Sequence, residues 1–254
     1  MNLELRKFDI STIKKHSVCV IIGKRGSGKT VLVKDLLYNN YNDIKEKTII
    51  SPIDNYDIFP DLVINDYNPE ILSNVISKCK SNDKSNDESL LILDNCLDSS
   101  CFKDTNMISL CMNGRHYKLN VIITMPYALS IPINLRSNVE FVFIFRENNV
   151  SNRTRLYEHY AGLFPTFEEF CQVMDKCTED YNCLVINNNA KSNKLEDQVF
   201  WYKADDHPDF KIGAPEFWQH HNTNFNDNYD LDEDCADFIA PKKRGPTINV
   251  KKAF

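Results

Sequence analysis

The sequence contains no run of about eighteen apolar residues, which excludes a helix that crosses a bilayer. Its opening, MNLELRKFDI, mixes charged with apolar residues and carries no apolar core or cleavage site of secretory type, so export by that route is not expected. CxxC pairs are absent too. The nine cysteines, at positions 19, 79, 96, 101, 111, 171, 177, 183 and 235, are odd in number, and several lie inside apolar runs. They read as buried free thiols in a reducing compartment; a zinc site, the sharper alternative, needs a paired ligand spacing that is missing. Positive charge is not in excess. A net charge of -6 argues against a general nucleic-acid coat, although a ring can still concentrate positive charge at its pore while its rim stays acidic. What is present is 42% hydrophobic and 26% charged residues over 254 positions, the balance of a globular chain with room for one large α/β domain and a small appendage.

Glycine is scarce as well, with seven in the chain, yet three of them fall within the eight residues GKRGSGKT. Gly23, Lys24, Arg25, Gly26, Ser27, Gly28, Lys29 and Thr30 match G-x-x-x-x-G-K-[ST], and Val31 follows. At average composition a chance match in a chain this long has a probability on the order of 1%. The apolar run SVCVII at 17–22 suits a strand buried on both faces, and after the loop Leu32 with Leu36 and Val33 with Leu37 lie one helical turn apart. Strand, glycine loop and helix are the setting in which backbone N–H groups curl around a phosphate. Lys29 is then expected at the β- and γ-phosphates and Thr30 at Mg²⁺, making ATP and Mg²⁺ the expected cofactors.

Further apolar segments predict strands over 47–50, 90–94, 120–125 and 139–145, with a helix over 69–80 and a polar surface loop, SNDKSNDES, at 81–89. Strands alternating with helical segments predict a mostly parallel sheet covered by helices on both faces. Beyond RENNVSNRTR, which is polar and helix-prone, Thr166 and Glu169 fit a capping box ahead of a helix carrying Phe167, Phe170, Met174 and Cys177. YNCLVINNN and VFWYKA read as two more strands extending one sheet edge.

Asp94 ends the apolar run LLIL, the place where an acidic residue can hold the water shell of Mg²⁺; an aspartate capping the next turn is the plainer alternative. Beside it stands Asn95, where ATPases that activate water usually place a second carboxylate as general base. Asparagine can orient a water but cannot accept its proton at neutral pH. Asp98, three residues on, is the substitute carboxylate if the strand end turns suitably.

The segments GKRGSGKTVLVKDLLY, LLILDNCLD, MNGRHYKLNVIITMPY, INLRSNVEFVFIFRE and RLYEHYAGLFPTFEEF, spanning most of 17–205 in family order, together resemble the DNA-packaging ATPases of nucleocytoplasmic large DNA viruses, within the FtsK–HerA superfamily of P-loop motors. The resemblance implies an additional-strand P-loop fold, a three-layer sandwich of core order 5-1-4-3-2, assembled into a homo-oligomeric ring that threads double-stranded DNA into a preformed capsid. It implies Asp94 as the Walker B acid and a second magnesium-site residue beside Thr30. Arg136, in NLRSN, becomes the arginine finger reaching a neighbour's γ-phosphate; a surface or salt-bridged role is its alternative, and Arg146 is the second choice. It also implies capsid or membrane-associated assembly proteins as partners and the cytoplasm of an infected cell, at the virus factory or with the virion, as the location. Two positions depart from the pattern: Asn95 replaces an acid, and Pro126 replaces a glutamine that senses the γ-phosphate, with neither a polar side chain nor a backbone donor to offer.

On this basis residues 1–215 are expected to form a single ATPase domain, with a sheet core at about 17–146 and C-terminal helices and strands at about 148–205. Residues 216–254 are expected to be a poorly ordered tail with an acidic block, FNDNYDLDEDCADF, and a basic end, PKKRGPTINVKK. Arg115, His116 and Lys118 in NGRHYK, and the basic end, either face DNA or are solvated charge. Two functional readings stand: a DNA-translocating, DNA-stimulated ATPase, or a nucleotide-binding structural or regulatory subunit whose hydrolysis is weakened by Asn95 and Pro126. A nucleotide kinase or GTPase of another P-loop branch is the third, disfavoured by the absence of NKxD and of a lid segment.

Overall fold

The computed structural model describes residues 4–52, 66–81, 88–128, 131–212 and 218–219. Seven strands form one sheet: β1 (Val18–Ile22), β2 (Glu46–Ile50), β3 (Ser89–Asp94), β4 (Leu119–Met125), β5 (Phe141–Ile144), β6 (Cys183–Asn187) and β7 (Val199–Tyr202). Their spatial order is β2-β3-β4-β1-β5-β6-β7. The first five are mutually parallel and, read from β5, run 5-1-4-3-2 as expected. The last two are antiparallel additions at the β5 edge. β5 is shorter than the apolar run 139–145, because Val139 and Glu140 belong to the approach from the preceding helix: Val139 N donates to Arg136 O at 3.0 Å.

The strands read as continuous apolar runs because both faces are covered. Alternation sends Val18, Val20, Ile22, Leu91, Leu93, Val142 and Ile144 to one face. There they pack under α2 (Pro69–Ser81), α3 (Thr105–Asn113), α4 (Ile133–Arg136), α5 (Val150–Tyr160) and α6 (Phe167–Cys177). Cys19, Ile21, Leu90, Ile92, Phe141 and Phe143 point to the other face, against α1 (Lys29–Asn40) and the chain after β7. A short helix, α7 (Leu195–Gln198), precedes β7.

Local chemistry sets the helix ends. Asn149 caps α5 by accepting from Ser151 N at 2.9 Å, and Asp104 caps α3 by accepting from Asn106 N at 3.0 Å. At α6 only half of the expected capping box forms: Thr166 Oγ1 accepts from Glu169 N at 3.2 Å, while the buried Glu169 Oε2 finds no partner. Of the loop expected at 81–89, residues 82–87 lie outside the described residues, as does the expected tail apart from residues 218–219. Eight described cysteines are free thiols, six of them buried; Cys235 lies outside the described residues. Among the described residues no helix is long and apolar enough to cross a membrane, and no three metal-binding side chains converge.

Candidate functional site

Every parallel strand delivers its C-terminal end to the same edge of the sheet, and the glycine loop sits there because it leaves β1 at Ile22. Gly23 N donates to Met125 O at 3.0 Å, which continues the β1–β4 ladder by one bond into the loop. Gly26 and Gly28 then take φ of +75° and +105°, left-handed backbone that a side chain disfavours. A Cβ on Gly26 would meet no atom within 4 Å, so its dihedral and not crowding demands glycine there. Gly28 is the N-cap of α1, whose first turn carries no acid to neutralise its free N–H groups. Lys29, only 8% exposed, folds back across the loop and donates from Nζ to Gly23 O at 2.6 Å and Lys24 O at 3.2 Å. Burial lowers the pKa of its ammonium, and the charge of Asp94 opposes that shift.

Asp94 ends β3 and is 7% exposed. It pairs in register with Thr124 of β4, and the Thr124 hydroxyl donates to Asp94 Oδ1. Ser51, just past β2, reaches Oδ2 at 3.4 Å. A buried carboxylate thus receives side-chain donors from both neighbouring strands, as its desolvation requires. Asn95 turns the chain in the left-handed region, φ +51°, which asparagine tolerates better than most residues. Its backbone N–H donates to Thr124 O at 3.2 Å and Thr124 Oγ1 at 3.1 Å, and its Nδ2 donates to Asp94 Oδ1 at 3.3 Å. That leaves Asn95 Oδ1 buried with no partner, an acceptor held beside the cavity.

A cavity of about 650 Å³ opens between these elements, walled by Arg25, Gly26, Gly28, Lys29, Thr30, Val31, Asp94, Asn95 and Pro126 together with Tyr181, Lys203, Ala204 and Asp206. Of the residues expected at the site, Gly23, Lys24 and Ser27 support the loop from behind: their backbone groups brace Lys29 and close the Ser27 N to Lys24 O turn at 3.2 Å. Asp98 is not a substitute base. Its Oδ1 accepts from Ser100 N at 2.6 Å, Ser100 Oγ at 2.5 Å and Cys101 N at 3.1 Å, so it caps a turn away from the cavity, and those bonds lower its carboxyl pKa.

Arg136 is not brought to this cavity. α4 finishes at the opposite edge of the sheet, where Glu140 N donates to Val18 O at 3.0 Å, about 16 Å away for a five-residue strand. Its guanidinium donates to His159 O at 2.6 Å and to His159 Nδ1 at 2.9 Å, at the C-terminal end of α5. Arg146, two residues beyond β5, is exposed at the cavity edge of the sheet but is not one of the walls. In NGRHYK, Arg115 is paired with the buried Glu140, which also accepts from Val18 N at 2.6 Å. That arginine therefore ties down the start of β1.

The Arg136–His159 contact makes a prediction. Burial, then the Arg136 charge, hold the His159 pKa below its ordinary 6.5. Since the folded value is the lower one, the contact's contribution is present above about pH 6.5 and lost as pH falls through the folded value. By NMR titration His159 should have a midpoint below 6.5, and Arg136→Ala should raise it; an unchanged midpoint would contradict the contact.

Thr124 left one faint sign in the sequence, a hydroxyl residue within the apolar run VIITM. Tyr181, Lys203 and Asp206 left none, since they reach the cavity only through the antiparallel hairpin.

The family model described as Poxvirus A32 protein matches residues 5–209, a span that contains the whole sheet. Protein L437 of Acanthamoeba polyphaga mimivirus is 34% identical over 248 residues, covering 90% of this chain and 87% of that one. Protein 088R of Invertebrate iridescent virus 3 is 39% identical over 210 residues, covering 78% and 80% respectively. Among solved structures, the genome packaging NTPase B204 from Sulfolobus turreted icosahedral virus 2, in complex with ATP-gammaS, superposes with a TM-score of 0.56 at 14% identity, over 76% of this chain and 100% of that chain. At that identity the likeness is one of fold. With the family match spanning every strand and relatives aligned over most of their length, the chain belongs to the Poxvirus A32 protein family.

Proposed function

We propose that this chain is an ATP-driven motor that moves double-stranded viral DNA into the capsid during virion assembly. The observation that carries the reading is the convergence of Lys29, Thr30 and Asp94 on one cavity at the C-terminal edge of a 5-1-4-3-2 sheet. The lining suits a magnesium nucleotide: left-handed glycines, a helix N-terminus without acid, a cationic Nζ, and the buried Asn95 Oδ1 with no partner. The structural likeness to a packaging NTPase solved with ATP-gammaS supports the same choice of ligand.

In this reading the loop N–H groups and Lys29 bind the β- and γ-phosphates, and Thr30 and Asp94 hold Mg²⁺. A magnesium ion held by Thr30 and Asp94 would supply charge neutralisation at the transferred phosphate. Thr124 and Ser51 hold the Asp94 carboxylate in place. Asn95 Oδ1 accepts a hydrogen bond from the attacking water and orients it. Arg136 acts in a neighbouring copy's site, since it stands on the far edge of its own sheet, and the assembly is a ring. Its partners are double-stranded DNA and capsid or membrane-associated assembly proteins, at assembly sites in the host cytoplasm. Phosphate release by the purified protein with ATP and Mg²⁺ is expected to rise severalfold on adding double-stranded DNA. No detectable release with or without DNA would sink the proposal.

A second reading is favoured by one specific contact. Asn95 spends its amide N–H on Asp94 and has no proton-accepting group, and Pro126 adds none. If the chain is a nucleotide-binding subunit with lost turnover, Asn95→Asp supplies the missing base and should raise kcat by about 10²-fold. If Asn95 already orients the water in a working motor, the same variant changes kcat by less than about threefold, because the step it would assist already proceeds without that base.

A further inference from the structure

The cavity continues past the phosphate loop toward a wall that the phosphate chemistry does not use. Resting on the nucleotide reading above, we infer that Tyr181, with Lys203, Ala204 and Asp206 of the same cavity wall, forms the subsite for the aromatic base of the nucleoside triphosphate.

Topology explains how these residues arrive. β6 is antiparallel to β5, so its first residue, Cys183, lies at the edge where the parallel strands end, and the turn before it projects Tyr181 toward the glycine loop. β7 reverses again, pairing Tyr202 with Cys183, and therefore releases residues 203–206 at that same edge. The two antiparallel strands bring both segments to the phosphate loop, one entering the hairpin and the other leaving it at the same end.

Tyr181 is 70% exposed, an unusual condition for so large a ring. It also occupies left-handed backbone, φ +63°, directly after Asp180 at φ +50°. Two consecutive non-glycine residues in that region are strained, and such strain persists where the surroundings hold it and is concentrated at ligand sites. Asn182 supplies the hold, donating from N and Nδ2 to Glu179 O at 2.9 and 2.6 Å. The ring edge stands close over the loop: a Cβ on Gly28 would be 3.9 Å from Tyr181 Cδ1. An exposed ring held beside a phosphate cradle offers a stacking face to a base whose triphosphate lies in that cradle.

The segment after β7 is fastened as well. His207, next to Asp206, bonds the buried Asp35 of α1 at 2.5 Å and stacks on Tyr38 with ring centroids 4.1 Å apart and planes 15° apart. The segment that carries Asp206 is thus anchored to the same helix that begins at the phosphate loop.

The test compares equilibrium binding of ATP and of inorganic tripolyphosphate, which has no base, to the full chain with Mg²⁺. Tyr181→Ala should weaken ATP about tenfold, the scale of losing one base–aromatic stack, and leave tripolyphosphate within twofold. Tyr181→Phe, which keeps the ring, should stay within about threefold of wild type for both. Retained tripolyphosphate binding also shows that the loop has folded in the variant. Wild-type ATP affinity in Tyr181→Ala overturns the subsite and leaves the nucleotide reading standing, and so does equal weakening of both ligands. If wild type binds neither ligand, the subsite and the nucleotide reading fall together.

Discussion

Lys29→Ala should lower the rate of ATP hydrolysis by about 10²- to 10³-fold, the usual consequence of removing a preorganised donor to transition-state charge. The lysine is held ready for this task. Its Nζ lies on Gly23 O and Lys24 O, so the ammonium is already buried and oriented before any phosphate arrives. Removing it takes away a point charge and also the tether that curls the loop over itself. The loop's N–H groups and the N-terminus of α1 remain, so nucleotide binding should weaken while turnover collapses. Parallel measurement of phosphate release and ATP affinity separates the two effects. A variant that keeps wild-type kcat would show that the ammonium does not act on the reacting phosphate.

Asp35→Ala should be the most damaging change to stability among the site's supports, at about 3–5 kcal/mol. Asp35 is fully buried on α1 and accepts from Tyr202 OH at 2.6 Å, His207 Nε2 at 2.5 Å and Asn39 Nδ2 at 2.8 Å. Truncation leaves a buried tyrosine hydroxyl without its acceptor and frees the segment that follows β7. For a chain of this size that amounts to a fall in melting temperature of about 10 °C or more. Asp35→Asn keeps an acceptor oxygen and should lose clearly less. A melt of Asp35→Ala within about 2 °C of wild type would mean that the network contributes little.

The parts of the site that were legible in the sequence are those whose signal is local. GKRGSGKT announces its backbone, because glycines at 26 and 28 answer a dihedral requirement that the chain meets wherever it is placed. Asp94 was legible because an acid ending an apolar run must be satisfied when that run is buried. The five parallel strands announced themselves for the same reason: covered on both faces, they are apolar throughout. Asp35 shows the limit. In KTVLVKDLLY it reads as an ordinary helix carboxylate, and only Tyr202 and His207, some 170 residues later, make it a buried hub. Asp98 shows the converse, a carboxylate of suitable type and spacing that a local turn had already engaged.

By itself, then, the sequence determined a glycine loop in left-handed backbone, the buried acid at the same sheet edge and a parallel α/β core, since each is dictated by backbone dihedrals or by burial along one contiguous segment. Tertiary structure alone decided the rest. It set Thr124 and Ser51 against Asp94, placed Tyr181 and Asp206 at the cavity, and left Arg136 on the far edge of the sheet. These placements depend on which strands pair and in which direction, and hydrogen-bond register between segments distant in sequence leaves no mark on either segment alone.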